Sequence, residues 1–254
     1  MKNLSVGEVS LICMAEKNIR DKIILTADDF GKSEIANKNI LYLAKAGKLD
    51  RVSVIVGGIL RKEEVEKLLS TDIKLDIHLE LIWQKRRRNL LKDHTLRQII
   101  VFLVNYLWGD WPVPIHPRSE KMAVKKEWQK QIEKFKKIFG RMPNGISSHE
   151  HVHYFPPYFS IALQLADHYK IPFIRFGRKG FIGKKNSVYL ILKVMYWLNK
   201  RNFLRSKVSS SDYFASLDWL ENFDEFSKKI EEGKKIEVAC HPEREDEYNF
   251  ISKL

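Results

Sequence analysis

Apolar residues recur along the chain with two periods, and stretches of each period alternate. Ile23–Thr26 is a short apolar run that stops at a polar Ala-Asp-Asp-Phe-Gly turn, and it reads as a buried strand. Ser33 is placed to cap a helix whose inward side is Ile35, Ile40, Leu43 and Ala44, closed by Gly47. Val52–Val56 is a second strand, Arg61–Leu69 a helix, and Lys74–Leu81 a third strand with strict alternation. Glu120–Phe139 is the clearest helix, with Val124, Trp128, Ile132, Phe135 and Phe139 at intervals of three or four. Asn144–Ser148 leads into His149; Pro157–Tyr169 predicts a helix and Pro172–Phe176 a strand. Val188–Asn199 is apolar on nearly all sides, which predicts a buried helix. Phe223–Glu232 predicts a helix, and Lys235–Ala239 a last strand. Short strands alternating with helices argue for an α/β fold, a parallel sheet with helices outside it, open or closed into a barrel. No repeat or low-complexity linker divides the chain, so one domain is expected. Ile82–Arg118 is harder to read: a basic run at Lys85–Arg88, a helix over Thr95–Leu107 and a Pro- and Trp-containing loop.

In a sheet of this kind the working residues sit at the carboxyl ends of strands. Asp28-Asp29, His78, His149 and His241 each lie at or just past the end of a different predicted strand. Adjacent carboxylates diverge on a strand, so one of the Asp28-Asp29 pair can bind a metal while the other faces a water; an Asx turn or helix cap is the plainer use. Asp76, His78 and Glu80 share one face of their strand and Ile77, Leu79 and Leu81 the other. His149, His151 and His153 project together if their segment is extended, and neutral imidazole binds zinc-like ions readily. One Asp with two His leaves a divalent ion with open positions, the layout of a catalytic site. A second Asp can serve as general base and a distant His as general acid, which suits amide hydrolysis. His94, His116 and His168 have no supporting pattern.

Charge and length change the picture little. In 254 residues, 45 Lys and Arg against 32 Asp and Glu give a net charge of +13, compatible with nucleic acid, anionic lipid or acidic polymers. No helix-turn-helix, zinc-finger spacing or RNA-binding aromatic motif accompanies it, so nucleic acid is not an expected partner. The segment Val188–Lys207 sets apolar bulk beside Lys200, Arg201, Arg205 and Lys207, which suits either a barrel helix with a basic end or an anionic membrane surface. Two cysteines, Cys13 and Cys240, exclude a disulfide framework. No run is long enough to span a membrane and no secretory signal is evident, so a cytoplasmic protein is expected. The first 20 residues are expected to form a disordered tail, and Met14 is an alternative start.

Four motifs then stand in order: Thr26-Ala-Asp-Asp-Phe-Gly31, Asp76-Ile-His-Leu-Glu-Leu81, Ser148-His-Glu-His-Val-His153 and Ala239-Cys-His-Pro242. Together they resemble the motifs of the YdjC-like carbohydrate deacetylases, which include chitooligosaccharide deacetylases and a deacetylase of an N-acetylglucosaminyl hopanoid lipid. The resemblance implies an irregular TIM-barrel-like (β/α) barrel over residues 21–254. It implies one divalent metal ion, Zn²⁺ or Mg²⁺, and hydrolytic removal of acetyl from an N-acetylated sugar, either an oligosaccharide or a membrane glycolipid. Asp29, His78 and His149 match the metal ligands, Asp28 the general base and His241 the general acid. Arg175 matches an arginine that holds Asp28 or touches substrate. His151 is expected to contact substrate, and Trp83 to stack on a sugar face or pack inside. A homodimer and peripheral membrane contact are left open, as is a non-catalytic sugar-binding protein. The chain departs from the family pattern at Asp76 and Glu80, which flank His78 with charge. It departs again at Ser147, where the family commonly has an Asp, a natural partner for a ligand histidine.

Overall fold

The computed structural model describes residues 20–81, 117–220, 223, 226 and 230–254. Its eight strands are β1 (Ile23–Phe30), β2 (Arg51–Val54), β3 (Lys74–Leu79), β4 (Gly145–Ser148), β5 (Phe173–Ile174), β6 (Gly180–Phe181), β7 (Tyr213–Ser216) and β8 (Ile236–Cys240). They form one sheet in the order β5-β4-β3-β2-β1-β8-β7-β6, with every pairing parallel. Helices α1 (Glu34–Lys45), α2 (Lys62–Leu69), α3 (Pro117–Phe139), α4 (Pro156–Tyr169), α5 (Ser187–Arg205) and α6 (Glu245–Lys253) accompany it. The sheet is curled on itself, because Arg175, just past β5, reaches Asp28 on β1 and Glu237 on β8. This is the TIM-barrel-like form expected, left open at its two-residue edges β5 and β6.

Strand alternation sorts the side chains into two layers. Val52, Val54, Leu75, Ile77, Ile146, Ile236 and Val238 are buried in the apolar core. The residues between them, Arg51, Ser53, Asp76, His78 and Ser147, are also buried and bond among themselves, and Glu237 is buried against Arg175. The inner layer is therefore polar, unlike the branched apolar filling usual for such barrels. Gly145 leaves the room this needs, since a Cβ there would lie 2.6 Å from an Arg51 nitrogen and 2.7 Å from an Asp76 oxygen.

Local signals account for most element ends. Ser33 Oγ accepts from the Ala36 N–H at 3.1 Å, capping α1 as expected. In α3, Trp128, Ile132 and Phe135 are buried at helical spacing, and Trp128 Nε1–H donates to the Glu80 carbonyl.

Four readings need correction. β1 does not stop at Thr26 but runs through Asp28-Asp29 to Phe30, with a register shift between Ala27 and Phe30. The histidine tract is not extended: His149–Tyr154 forms 3-10 turns, with Glu150 and His151 in left-handed backbone. The helix expected over Val188–Asn199 runs on to Arg205, and one side of it is exposed. Strands β6 and β7 and helix α6 were not foreseen, being too short or too polar to announce themselves by period. The expectations for residues 1–19, for 82–116, including Trp83, and for most of Phe223–Glu232 lie outside the described residues. Among the described residues, no helix is long and apolar enough to cross a membrane.

Trp128 is fully buried, so Trp128→Ala should cost about 3–5 kcal/mol of stability. Urea unfolding midpoints of the two proteins measure this; a shift under about 1 kcal/mol would mean that α3 is not seated on β3 as described.

Candidate metal centre

The site begins with the irregularity in β1. Asp29 sits at φ 72°, a left-handed conformation rare for a non-glycine residue. The resulting bulge breaks the alternation that would send Asp28 and Asp29 to opposite faces. Both carboxylates are buried, Asp28 against Arg175 and Asp29 against His78 and His149. Strain of this kind is commonest where function demands it.

Asp29 Oδ1 lies 3.5 Å from His78 Nε2 and 3.1 Å from His149 Nδ1, and the ligand atoms of all three residues fall within 4.8 Å of one another. Bonds of about 2.0–2.2 Å to a tetrahedral ion put neighbouring ligand atoms roughly 3.4 Å apart, so this donor set fits a zinc-like ion. The other oxygen of Asp29 accepts from Lys32 Nζ at 2.9 Å. Burial would raise the Asp29 pKa, but His149, His78 and Lys32 outweigh it and hold the carboxyl well below its usual range. Burial lowers the His78 pKa to about 4 despite Asp28 and Asp29, so its ring is neutral and free to bind a cation near pH 7. His78 Nδ1 is 2.8 Å from Ser147 Oγ, which in turn donates to Ser53 Oγ. With Nδ1–H donated to Ser147, Nε2 is left with its lone pair towards Asp29 and His149. The departure at Ser147 thus keeps a partner for His78, the candidate ligand, neutral where the family's Asp is charged. The departure at Asp76 is absorbed otherwise: Arg51 holds that carboxylate with two hydrogen bonds and stacks on Phe173, 4.2 Å from the ring centre.

Asp28 is gripped by both terminal nitrogens of Arg175, at 2.6 and 2.8 Å. Burial would raise its pKa, yet Arg175, His78 and His241 drive it far below the usual carboxylate value. Arg175 Nε donates to Glu237 Oε1 at 2.7 Å, and the guanidinium is 1% exposed. Of the two roles open for Arg175, the geometry is that of holding Asp28. Glu237 was missed in the sequence, although a lone carboxylate between Ile236 and Val238 was a legible signal. Burial pushes its pKa up even beside Arg175 and Arg51.

His241, just past β8, is within electrostatic reach of Asp28 and Asp29. Burial would depress its pKa, but Glu247, Asp28 and Asp29 raise it above the usual histidine value. Glu247 Oε2 accepts from the His241 backbone N–H at 2.6 Å and stands 3.8 Å from Nδ1. Such a group is poised to carry a proton.

The remaining histidines of the tract do not join His149. His153 is fully buried between Ser148 Oγ, 2.5 Å from Nδ1, and the Arg175 carbonyl, 2.8 Å from Nε2. His151 lies edge-on to Phe214, 5.7 Å between centres, near Trp219 and Tyr154, and its buried Nδ1 has no hydrogen-bond partner among the described residues. The structure thus brings Asp28, Asp29, His78, His149, Arg175 and His241 to one end of the barrel, with His151 beside them.

The sequence model of the YdjC-like proteins matches residues 22–252. The chain belongs to the YdjC-like family. Curated relatives of this YdjC-like protein include a carbohydrate deacetylase of Oceanobacillus iheyensis, 26% identical over 59% of this chain and 63% of that protein. A second is a carbohydrate deacetylase of Danio rerio, 26% identical over 61% of this chain and 49% of that protein. The chain spans less than two thirds of the length of these relatives. A crystal structure from Enterococcus faecalis, described as a putative cellobiose-phosphate cleavage protein, superposes with a TM-score of 0.56 at 22% identity. The match covers 87% of this chain and 80% of that one, and supports the fold.

Ser147→Ala should weaken zinc binding about 10–100-fold, as loss of a partner to a ligand histidine usually does, measured by competition with a chromophoric chelator. An unchanged affinity would remove Ser147 from the site. A second expectation concerns pH. Burial lowers the His153 pKa to about 3, against 6.5 when unfolded. The unfolded chain therefore binds the extra proton first, and stability must fall as pH drops from 6.5 towards 3. Between pH 7 and 4 this group alone contributes a loss on the order of 3 kcal/mol in metal-free protein, and His153→Gln should flatten the profile.

Proposed function

We propose that the chain is a metal-dependent hydrolase that removes the acetyl group from an N-acetylated sugar. The observation that carries this reading is the buried Asp29, His78 and His149 set flanked by an arginine-clamped Asp28 and by His241. The names of the curated relatives point the same way. Two imidazoles and one carboxylate favour zinc, or another first-row transition ion, over magnesium, which prefers oxygen ligands. Such an ion, when bound, lowers the pKa of water and polarises a carbonyl.

The chain's own residues supply the rest. Asp28 remains ionised at any working pH and accepts the proton of the attacking water. The Arg175 clamp fixes its direction at the expense of basicity, an exchange of proton affinity for orientation. His241, whose proton affinity Glu247, Asp28 and Asp29 raise, gives its proton to the departing amine. An amine leaves poorly without it. Lys32 steadies the outer oxygen of Asp29, leaving Oδ1 for the metal. His151, with its free buried Nδ1, is the histidine offered to substrate.

A second reading keeps the chemistry and changes the substrate to a sugar carried on a lipid. Its motive is a small slot beside His151, lined by Glu150 together with Phe155, Val188, Ile191, Leu192 and Met195.

Acetate release from N,N′-diacetylchitobiose tests the first reading. Zinc-dependent release should be abolished by chelator and reduced about 10²–10⁴-fold in kcat by Asp28→Asn or His241→Ala. Release from an N-acetylglucosaminyl lipid but not from chitobiose would select the second reading. Metal binding with release from neither would discard both substrates.

A further inference from the structure

Helix α5 carries the inference furthest. Its inner side is buried: Tyr189, Leu192, Met195, Tyr196, Asn199 and Phe203 face the fold. Asn199 Nδ2 donates to the Tyr154 carbonyl at 2.6 Å, tying the helix to the turn that begins at His149. The opposite side should be polar in a helix that merely covers a barrel. It is not. Leu190 is 52% exposed, Val194 49%, Trp197 74% and Leu204 65%. With Arg201 these residues follow one another at intervals of four, three, four and three, which places them on a single line along the helix. They make up four of the ten large hydrophobic residues exposed among the described residues, on one helix.

The charge beside that line has one sign. Lys193, Lys200, Arg201 and Arg205 are exposed on the same half of the helix, and α5 contains no Asp or Glu. Lys185 and Lys207 extend the exposed basic rim beyond its two ends. No acidic residue occurs anywhere between Asp167 and Asp212.

We propose that this face of α5 docks on the surface of an anionic phospholipid bilayer, with Leu190, Val194, Trp197 and Leu204 set into the headgroup region and the lysines and arginines on lipid phosphates. Nineteen residues give a helix of about 28 Å lying in the plane of the interface, a length and composition suited to that position. A tryptophan at the centre of the line suits the boundary between headgroup and acyl chain. Two other occupants fit less well. A nucleic acid would pair with the basic rim but leave three aliphatic side chains in water. A second copy related by a two-fold axis would set the same unbalanced basic rims against each other. The surface is independent of which sugar is hydrolysed, and its test reads binding rather than turnover.

The test is co-sedimentation of the full chain with vesicles of phosphatidylcholine alone and with about 30% phosphatidylglycerol, at about 0.05 M and 0.5 M salt. Binding should require the anionic lipid and weaken with salt. Trp197→Ser with Leu204→Ser, and separately Lys200→Ser with Arg201→Ser, should each weaken it about tenfold or more, with thermal melts like the wild type because the sites are exposed. Trp197→Phe should keep binding while losing the blue shift of tryptophan emission on vesicles. The proposal is overturned by absence of binding to anionic vesicles at low salt, or by wild-type binding in both paired variants. It is also overturned if sedimentation shows a dimer that the Trp197 and Leu204 changes dissociate, or if the chain binds oligonucleotide through this face and ignores vesicles.

Discussion

The Arg175 guanidinium is the fixed point of this molecule. It is fully buried, and three of its nitrogens are engaged by two carboxylates, Asp28 on β1 and Glu237 on β8. An unpaired guanidinium in that position would be prohibitively costly, so the curl of the sheet must bring β5 towards β1 and β8. The inner layer follows from the same requirement. Arg51 must meet Asp76, Gly145 must be without a side chain, and Ser53 and Ser147 must be small and polar to fill what the ion pairs leave. Pairs of this kind add little net stability, and breaking one is severe. What they provide is direction: Asp28 and His78 are held by groups that cannot rotate away. Each carboxylate of this layer has its own partner: Asp28 and Glu237 face Arg175, Asp76 faces Arg51, and Asp29 faces Lys32, His78 and His149.

The sequence carried much of this and hid a definable part. The strands that end at Asp28-Asp29, His78, His149 and His241 were legible because burial on both faces makes short, bounded apolar runs. Long helices with a clear stripe, above all α3, were legible for the same reason. β6 and β7 are two and four residues long and offer no period to read. The bulge at Asp29 was invisible, because a left-handed aspartate has no composition signature; strict alternation wrongly separates two carboxylates that share the site. Ion-pair partners were hidden too, since Arg51 and Asp76 are 25 residues apart and Arg175 and Asp28 are 147 apart. α5 misled in the other direction. A helix rich in Leu, Val, Trp and Tyr reads as buried all round, and only packing reveals that half of those residues meet solvent.

The same side chain, histidine, takes three different jobs within one tract, and the partner of each ring decides which. His149 meets a carboxylate and so becomes a candidate ligand. His151 meets aromatic edges and keeps an idle nitrogen. His153 spends both nitrogens, one on Ser148 and one on the backbone of Arg175, and is locked neutral. That last bond has a mechanical consequence. The turn that presents His149 is pinned, through His153, to the residue that grips Asp28. The candidate ligand and the candidate base therefore share one chain of contacts, from the His149–Tyr154 turn through His153 to Arg175 and Asp28. Asn199 adds α5 to the same linkage through the Tyr154 carbonyl.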